Sequence, residues 1–200
     1  MDSFLDRKAS GLLDLFAAGR NTPGAGSASA LMGALAGSLL QTVARHTLKA
    51  AESPKRRETY EPFRERAAAL LEQAASLSNR LRATVDEDAA VFERYWKDRT
   101  EETLRRAIEV PIEIAEACAD LAEIGIEFHE HGFRNVQGEA AAAILSALAG
   151  GETAAQAAWL NLKLAGDGNP WRDDLRALRR RLRELRGTVE ARIYGEEEAA

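Results

Sequence analysis

Residues 28–44 read Ala28-Ser29-Ala30-Leu31-Met32-Gly33-Ala34-Leu35-Ala36-Gly37-Ser38-Leu39-Leu40-Gln41-Thr42-Val43-Ala44, a run without a single charge. A stretch this apolar has to leave water, either into lipid or into a protein core. It is shorter than the roughly 20 apolar residues a membrane span needs, and Ser29, Ser38, Gln41 and Thr42 interrupt it. The expected state is a Gly/Ala-rich helix buried at the centre of a helical bundle. Gly26, Ala30, Gly33 and Gly37 recur along it at steps of four, three and four. A row of small residues lets a second backbone come close.

Helical periodicity continues on both sides of this run, without strand-like alternation. Phe4, Leu5, Leu12, Leu13, Leu15 and Phe16 predict a first helix that closes near Gly19. Asn21 to Ser27 is a turn-rich loop, and Ser53-Pro54 ends the buried helix near residue 50. A long helix is expected over 61–97, with Pro62 in its first turn. Thr100-Glu101-Glu102 opens the next, which reaches His131 with a kink at Pro111. Another spans 139–165, with a break expected at Gly150-Gly151. The last carries Leu175, Leu178, Leu182, Leu185, Val189 and Ile193 near heptad spacing. Residues 1–195 therefore read as one all-α domain, a bundle of five to six long helices, and 196–200 as an acidic tail.

The 200 residues include 27 Lys and Arg against 32 Asp and Glu, with 46% apolar and 6% aromatic side chains. That composition argues against a β sandwich, and the net charge of −5 offers no general attraction to nucleic acid. Cys118 is the only cysteine, which excludes an intrachain disulfide and a multi-cysteine metal centre. Met1 to Arg7 lacks the basic-then-apolar order of a signal peptide. The expectation is a cytoplasmic protein with Cys118 reduced, and with neither membrane nor nucleic acid among its partners.

Four features bear on chemistry. Gly24 and Gly26 permit unusual backbone and close approach, Ser27 is placed to cap the following helix, and free N–H groups there suit a carbonyl or an anion. Within Asp86-Glu87-Asp88, Asp88 falls on the apolar stripe of Leu81, Val85, Phe92 and Tyr95, whereas Asp86 lies about 200° away around the helix. A carboxyl on an apolar stripe has its pKa raised, which suits a general acid or base; the plain alternative is a structural hydrogen bond. His46, His129 and His131 lack Glu-x-x-His or His-Glu-x-x-His spacing, so no metal site is expected. Arg172, Arg176, Arg179, Arg180, Arg181, Arg183 and Arg186 form a basic face over the last leucine stripe; Lys49, Lys55, Arg56 and Arg57 form a smaller group near the far end of the buried helix.

Thr22-Pro23-Gly24-Ala25-Gly26-Ser27-Ala28-Ser29-Ala30, followed by Gly33-Ala34-Leu35-Ala36, resembles the Pro-Gly-Gly-Gly-Ser loop and Ala/Gly helix of the formiminotetrahydrofolate cyclodeaminase family, which also contains methenyltetrahydrofolate cyclohydrolases. Val85-Asp86-Glu87-Asp88-Ala89 with Phe92 is similar to its Asp-x-Asp-Ala segment, Val110-Pro111 with Ala115-Glu116 to its Val-Pro helix, and Asn161-Leu162 to its Asn-Leu ending. Gly132 to Ala143 aligns with a Gly-Asn…Ser-Asp-Ala segment, with Gly138-Glu139 where the family has Ser-Asp. Trp96-Lys97-Asp98-Arg99-Thr100 replaces a Leu-Pro-Lys.

The resemblance implies an all-α homodimer that binds a folate and opens or closes its N5,N10-methenyl ring, with no cofactor beyond the tetrahydrofolate substrate and no metal. It implies Asp88 as the principal acid/base, with Asp86 and Glu139 as further carboxylates. Pro23, Gly24, Ala25, Gly26 and Ser27 would hold the pterin or a reacting group, Asn161 would also contact substrate, and Lys49, Arg56 and Arg57 would meet the glutamate tail. Surplus apolar faces also point to a homodimer, with the glycine-rich helix and the last leucine stripe as candidate contacts. Two alternatives stand beside the enzyme: a family-like bundle that binds folate or another small ligand without turnover, and a purely structural helical dimer.

Overall fold

Seven α-helices connect through short turns in the computed structural model, which describes residues 3–166 and 169–194. They are α1 (Ala9–Ala17), α2 (Ala25–Glu52), α3 (Arg57–Tyr60), α4 (Arg64–Asp98), α5 (Glu101–His131), α6 (Gln137–Leu162) and α7 (Trp171–Val189). Among the described residues there is no strand. The acidic tail at 196–200 and the turn residues Asp167 and Gly168 lie outside those described.

Helix α2 is the axis of the bundle and packs chiefly on α4 and α6, with α5 behind them and α7 across α5 and α6. It is longer than the sequence run suggested. At 28 residues it is long and apolar enough to cross a membrane by length and composition alone. Shortness is therefore not what distinguishes it from a span. Burial among its neighbours is: Ala30, Ala36, Leu40 and Ala44 are all at 0% exposure. Gly37 shows how the neighbours come so near. A Cβ there would stand 2.8 Å from Ser78 Cβ and 3.1 Å from the Ala74 carbonyl oxygen of α4. The Ser78 hydroxyl uses that proximity to donate to the Ala34 carbonyl at 2.9 Å.

The remaining boundaries follow local chemistry. Phe4–Asp6 is a separate 3₁₀ turn rather than the start of α1, and Gly19 takes φ +67° just beyond α1. Pro62 lies in a 3₁₀ turn, Glu61–Phe63, that leads into α4. Thr100 and Thr103 form a reciprocal capping box that starts α5. Helix α6 runs unbroken through Gly150-Gly151, where the break was expected. Both glycines are there for packing: Gly150 abuts the Ser29 carbonyl of α2, and Gly151 abuts Leu182 of α7.

Cys118 occupies the crossing point of these helices. Its side chain lies against Gly33, Gly150 and Gly151, where any added Cβ would crowd it. Burial pushes its thiol up to about 12. The thiolate that reacts with alkylating reagents is therefore essentially absent at neutral pH. Iodoacetamide should leave the native protein unlabelled for hours and label it rapidly in denaturant, with mass spectrometry as the readout. Rapid labelling under native conditions would contradict this packing.

The leucine stripe of α7 is also spoken for. Leu175, Leu178, Leu182 and Val189 are buried against the same chain. The glycines of α2 face neighbouring helices of the same chain, whereas Leu35 on that helix is exposed. Among the described residues, the large apolar side chains that remain exposed are Leu13, Leu35, Trp96, Leu145, Leu160 and Leu164.

Candidate active site

The connection after α1 runs into the N-terminus of α2, and Asp88 of α4 meets it there. Helical phase brings Asp88 inward with Leu81, Val85 and Tyr95, all buried. Ser27 donates its hydroxyl to Asp88 Oδ2 at 3.1 Å, and its backbone amide also favours the carboxylate. Ser27 is the third residue of α2 rather than its cap; Gly24 holds the cap position in extended backbone. The Asp88 carboxyl thus serves the helix start from a different element.

Gly26 makes this contact feasible. A Cβ at that position would stand 2.6 Å from Asp88 Oδ2 and closer still to its Cγ and Oδ1. What the site requires of Gly26 is the missing side chain, not an unusual φ. Two effects then compete at Asp88. The helix N-terminus and the Ser27 bonds favour the anion, and burial favours the neutral acid. Burial is the larger, and Asp88 is held above the ordinary aspartate value of 3.8, with a smaller push from the neighbouring Glu87.

Asp88 opens onto a cavity of about 540 Å³. Its walls are Asn21, Thr22, Gly24, Ala25 and Gly26 from the loop and α2, Asp88 and Phe92 from α4, Pro111 from α5, and Glu152, Thr153, Gln156, Ala157, Leu160 and Asn161 from α6. The ionisable side chains in this lining are both carboxylates, Asp88 and Glu152. The surface is otherwise mostly apolar. Such a cavity favours a ligand with an apolar body and a cationic or hydrogen-bond-donating centre. Thr22 is tied to Glu93 of α4 through its hydroxyl, which pins the loop over the cavity edge.

Asn161 has a second task. Pro111 has no N–H, so within α5 the carbonyl of Ala107, four residues earlier, loses its helical partner. Asn161 Nδ2 donates to that carbonyl at 2.7 Å. The side-chain amide of α6 replaces the backbone amide that proline removed from α5, and it does so at the cavity wall. Asn161→Leu leaves the Ala107 carbonyl orphaned and should destabilise the fold by about 1–3 kcal/mol. Adding Pro111→Ala restores an N–H inside α5 and should recover most of that loss. Urea midpoints of the two single variants and the double variant check this; simple additivity would refute the coupling.

The other residues singled out from sequence fall elsewhere. Pro23 is buried, follows a cis peptide bond and is not part of the cavity lining. Asp86 Oδ1 accepts the Phe4 N–H at 2.8 Å and anchors the N-terminal 3₁₀ turn to α4. Glu139 is exposed in the first turn of α6. At about 1.5 Å per residue it lies about 33 Å along that helix from Asn161. Lys49, in the last turn of α2, is likewise about 35 Å from Gly26. Arg56 stacks over Phe133 at 4.9 Å, and Arg57 pairs with Glu61 at 3.7 Å. Within one chain, these groups do not join Asp88.

Glu152, Thr153 and Gln156 were not apparent from sequence. Helix α6 is alanine-rich on every side, so its pattern does not reveal which face lines a cavity. Glu152 is gripped side-on by Arg186 of α7, at 2.6 and 2.7 Å. Among the described residues, no group of three or more His, Cys, Asp or Glu is arranged to hold a metal ion.

A buried carboxyl at a helix N-terminus, opening onto a mostly apolar cavity in a helical bundle, is the candidate small-molecule site. Residues 8–177 match the formiminotransferase-cyclodeaminase family, and the chain belongs to that family. It is similar to the methenyltetrahydrofolate cyclohydrolase of Methylorubrum extorquens, with 26% identity over 198 residues that cover 91% of each protein. Its fold matches the crystal structure of formiminotetrahydrofolate cyclodeaminase from Thermotoga maritima with a TM-score of 0.76 and 22% identity, over 94% of this chain and 92% of that one.

Proposed function

We propose that the protein is a folate one-carbon enzyme that opens the N5,N10-methenyl ring as a cyclohydrolase, or forms it as a cyclodeaminase, with Asp88 as general acid/base. The observation that carries this reading is the buried Asp88 carboxyl, held above its ordinary pKa on the wall of a cavity whose ionisable lining is anionic. A methenyl group is cationic and planar, and it suits such a lining.

In the hydrolytic direction, water attacks the methenyl carbon and Asp88 takes a proton from it. The tetrahedral adduct then collapses to a formyl group as one C–N bond breaks, Asp88 returns a proton to the departing nitrogen, and the adduct's hydroxyl proton is released to water. In the other direction, N10 attacks a formimino carbon and gives up its proton, and Asp88 in its acid form protonates the resulting amino group so that the C–N bond to it breaks and it leaves as ammonia. The cationic substrate favours the Asp88 anion, and its departure favours the acid, so the carboxyl changes state in step with the reaction. The N–H groups of Ala25 and Gly26, at the unpaired start of α2, are placed to meet an oxygen formed nearby.

The reading of a folate binder without turnover rests on Gly138-Glu139 and on Trp96 to Thr100 in place of the family's Leu-Pro-Lys. Neither segment is part of the Asp88 cavity lining, which favours the enzymatic reading. Purified protein mixed with methenyltetrahydrofolate, and separately with formiminotetrahydrofolate, distinguishes the two directions by the methenyl absorbance. Binding of both without a change in either would leave only the binder.

The enzyme is proposed to act in the cytoplasm as a homodimer. Exposed Leu13, Leu35, Leu160 and Leu164 supply apolar surface for a second copy. Sedimentation equilibrium at micromolar concentration should give twice the chain mass; a monomer throughout would refute it.

A further inference from the structure

Helix α6 lines the Asp88 cavity with Glu152 and Gln156, four residues apart and therefore on one face, about 6 Å along the helix from each other. Behind that face, α6 and α7 enclose a groove lined by Arg176, Arg179, Arg180 and Arg183. Two arginines of α7 reach across to the two cavity residues. Arg186 donates to both Glu152 oxygens at 2.6 and 2.7 Å, and Arg179 Nη2 donates to Gln156 Oε1 at 3.1 Å. Arg179 also lies over the Trp159 ring at 5.6 Å, which steadies its guanidinium.

Arginine has donors and no acceptor, so it fixes what each partner offers the cavity. The Gln156 oxygen is committed to Arg179, which leaves its Nε2 hydrogens for a ligand. Glu152 is a carboxylate, and each oxygen keeps a lone pair beyond the one that Arg186 uses. This wall therefore presents an acceptor at 152 beside a donor at 156. A glutamine amide without such a partner would turn over and offer either group. The complementary ligand edge carries an N–H next to a carbonyl, the pattern of a cyclic amide. On the folate reading above, the pterin supplies that edge as N3–H beside the 4-oxo group. The 4-oxo carbon is bonded to the carbon that carries N5. Holding this edge at α6 thus also fixes N5, and with it the methenyl carbon, relative to Asp88 on the α4 wall.

We propose that Glu152 and Gln156 read the lactam edge of the pterin, Glu152 accepting from N3–H and Gln156 donating to the 4-oxo group, with Arg186 and Arg179 as positioning residues. The inference rests on the folate reading. Its test compares tetrahydrofolate with the 4-amino-4-deoxy analogue, in which N3 becomes an acceptor and the 4-position a donor. Calorimetric titration in mildly alkaline buffer keeps the diamino ring neutral. The wild type should bind the 4-oxo form at least roughly tenfold more tightly. The double swap Glu152→Gln/Gln156→Glu exchanges acceptor and donor while both arginines keep an oxygen to bind, and it should reverse the preference. Gln156 is exposed and Glu152 half-buried, so the swap should leave the fold intact, which circular dichroism checks. Arg179→Met frees the Gln156 amide to turn over and should reduce the ratio, and Arg179→Lys should restore part of it. Equal binding of the two forms by the wild type, or a double swap that keeps the 4-oxo preference, would overturn the proposal. A ratio unchanged in Arg179→Met would remove its positioning role. The turnover assay separates the two readings. Turnover without discrimination between the forms keeps the folate enzyme and removes this contact. Discrimination without turnover keeps the contact and removes the catalytic assignment. Binding of neither form would overturn both.

Discussion

Asp88→Asn is expected to lower turnover of the folate substrate by roughly 10²–10⁴-fold while leaving most of the binding intact. Asparagine keeps the shape of the side chain and one acceptor for Ser27, and replaces the titratable carboxyl oxygen with an NH2 that cannot act as the acid or base. Asp86→Asn and Glu139→Gln should change turnover far less, because Asp86 is committed to the Phe4 N–H and Glu139 lies along α6 from the cavity. Full activity in Asp88→Asn, with loss in either of the others, would sink the assignment.

The same substitution has a signature in stability. The Asp88 pKa is raised in the folded state, with burial the largest cause. The folded state therefore holds its proton at pH values where the unfolded state has released it. Relative to its fully protonated state, the wild type loses stability as pH rises from the ordinary aspartate value of 3.8 through the raised one. The amide of Asp88→Asn has nothing to release. The stability of the variant minus that of the wild type should thus grow across that window and level off above it. Urea unfolding at a series of pH values checks the sign; a difference that shrinks with pH would contradict the burial argument.

Gly26→Ala should abolish turnover about as completely, by a different route. The new methyl would occupy the space of the Asp88 carboxyl group. Rotating the carboxylate about its own axis does not help, because Cγ itself is in the way. Either Asp88 leaves Ser27 and the cavity, or α4 moves away from α2. Such overpacking costs about 1–3 kcal/mol, so the protein should fold but with a lower urea midpoint. Alanine favours helix over glycine, which works against that loss and makes a destabilised variant the more informative result. The paired readout separates the routes: Asp88→Asn loses activity without destabilisation near neutral pH, whereas Gly26→Ala loses both. A fully active Gly26→Ala would show that Asp88 is not confined as described.

Much of this was already present in the order of residues. Helical phase alone put Asp88 on the same stripe as Leu81 and Val85, and Asp86 off it. The uncharged run at 28–44 marked the central helix, since so little else could be done with it in water. The resemblance of Thr22-Pro23-Gly24-Ala25-Gly26-Ser27 to a family loop located the neighbourhood of the site. These signals are legible because they depend on spacing within one element, and helical geometry is the same in every helix.

Contacts between elements were not legible in that way. Nothing in the spacing of Gly26 says that its absent side chain makes room for the carboxyl of Asp88, two helices further along the chain. Nothing in the spacing of Pro111 says that Asn161, from another helix, donates to the Ala107 carbonyl in place of the missing amide. Gly150-Gly151 read as a break, but both glycines face neighbouring helices, and the packing they permit outweighs their poor helix propensity. Glu152 and Gln156 were hidden in an alanine-rich helix without a distinguishable face, and the arginines of α7 read as a solvated surface. What made them a groove was the distance between α6 and α7, set by the packing of Leu175, Leu178 and Leu182. Local pattern determines which faces are apolar; which face meets which, and what is left between them, is decided only when the helices pack.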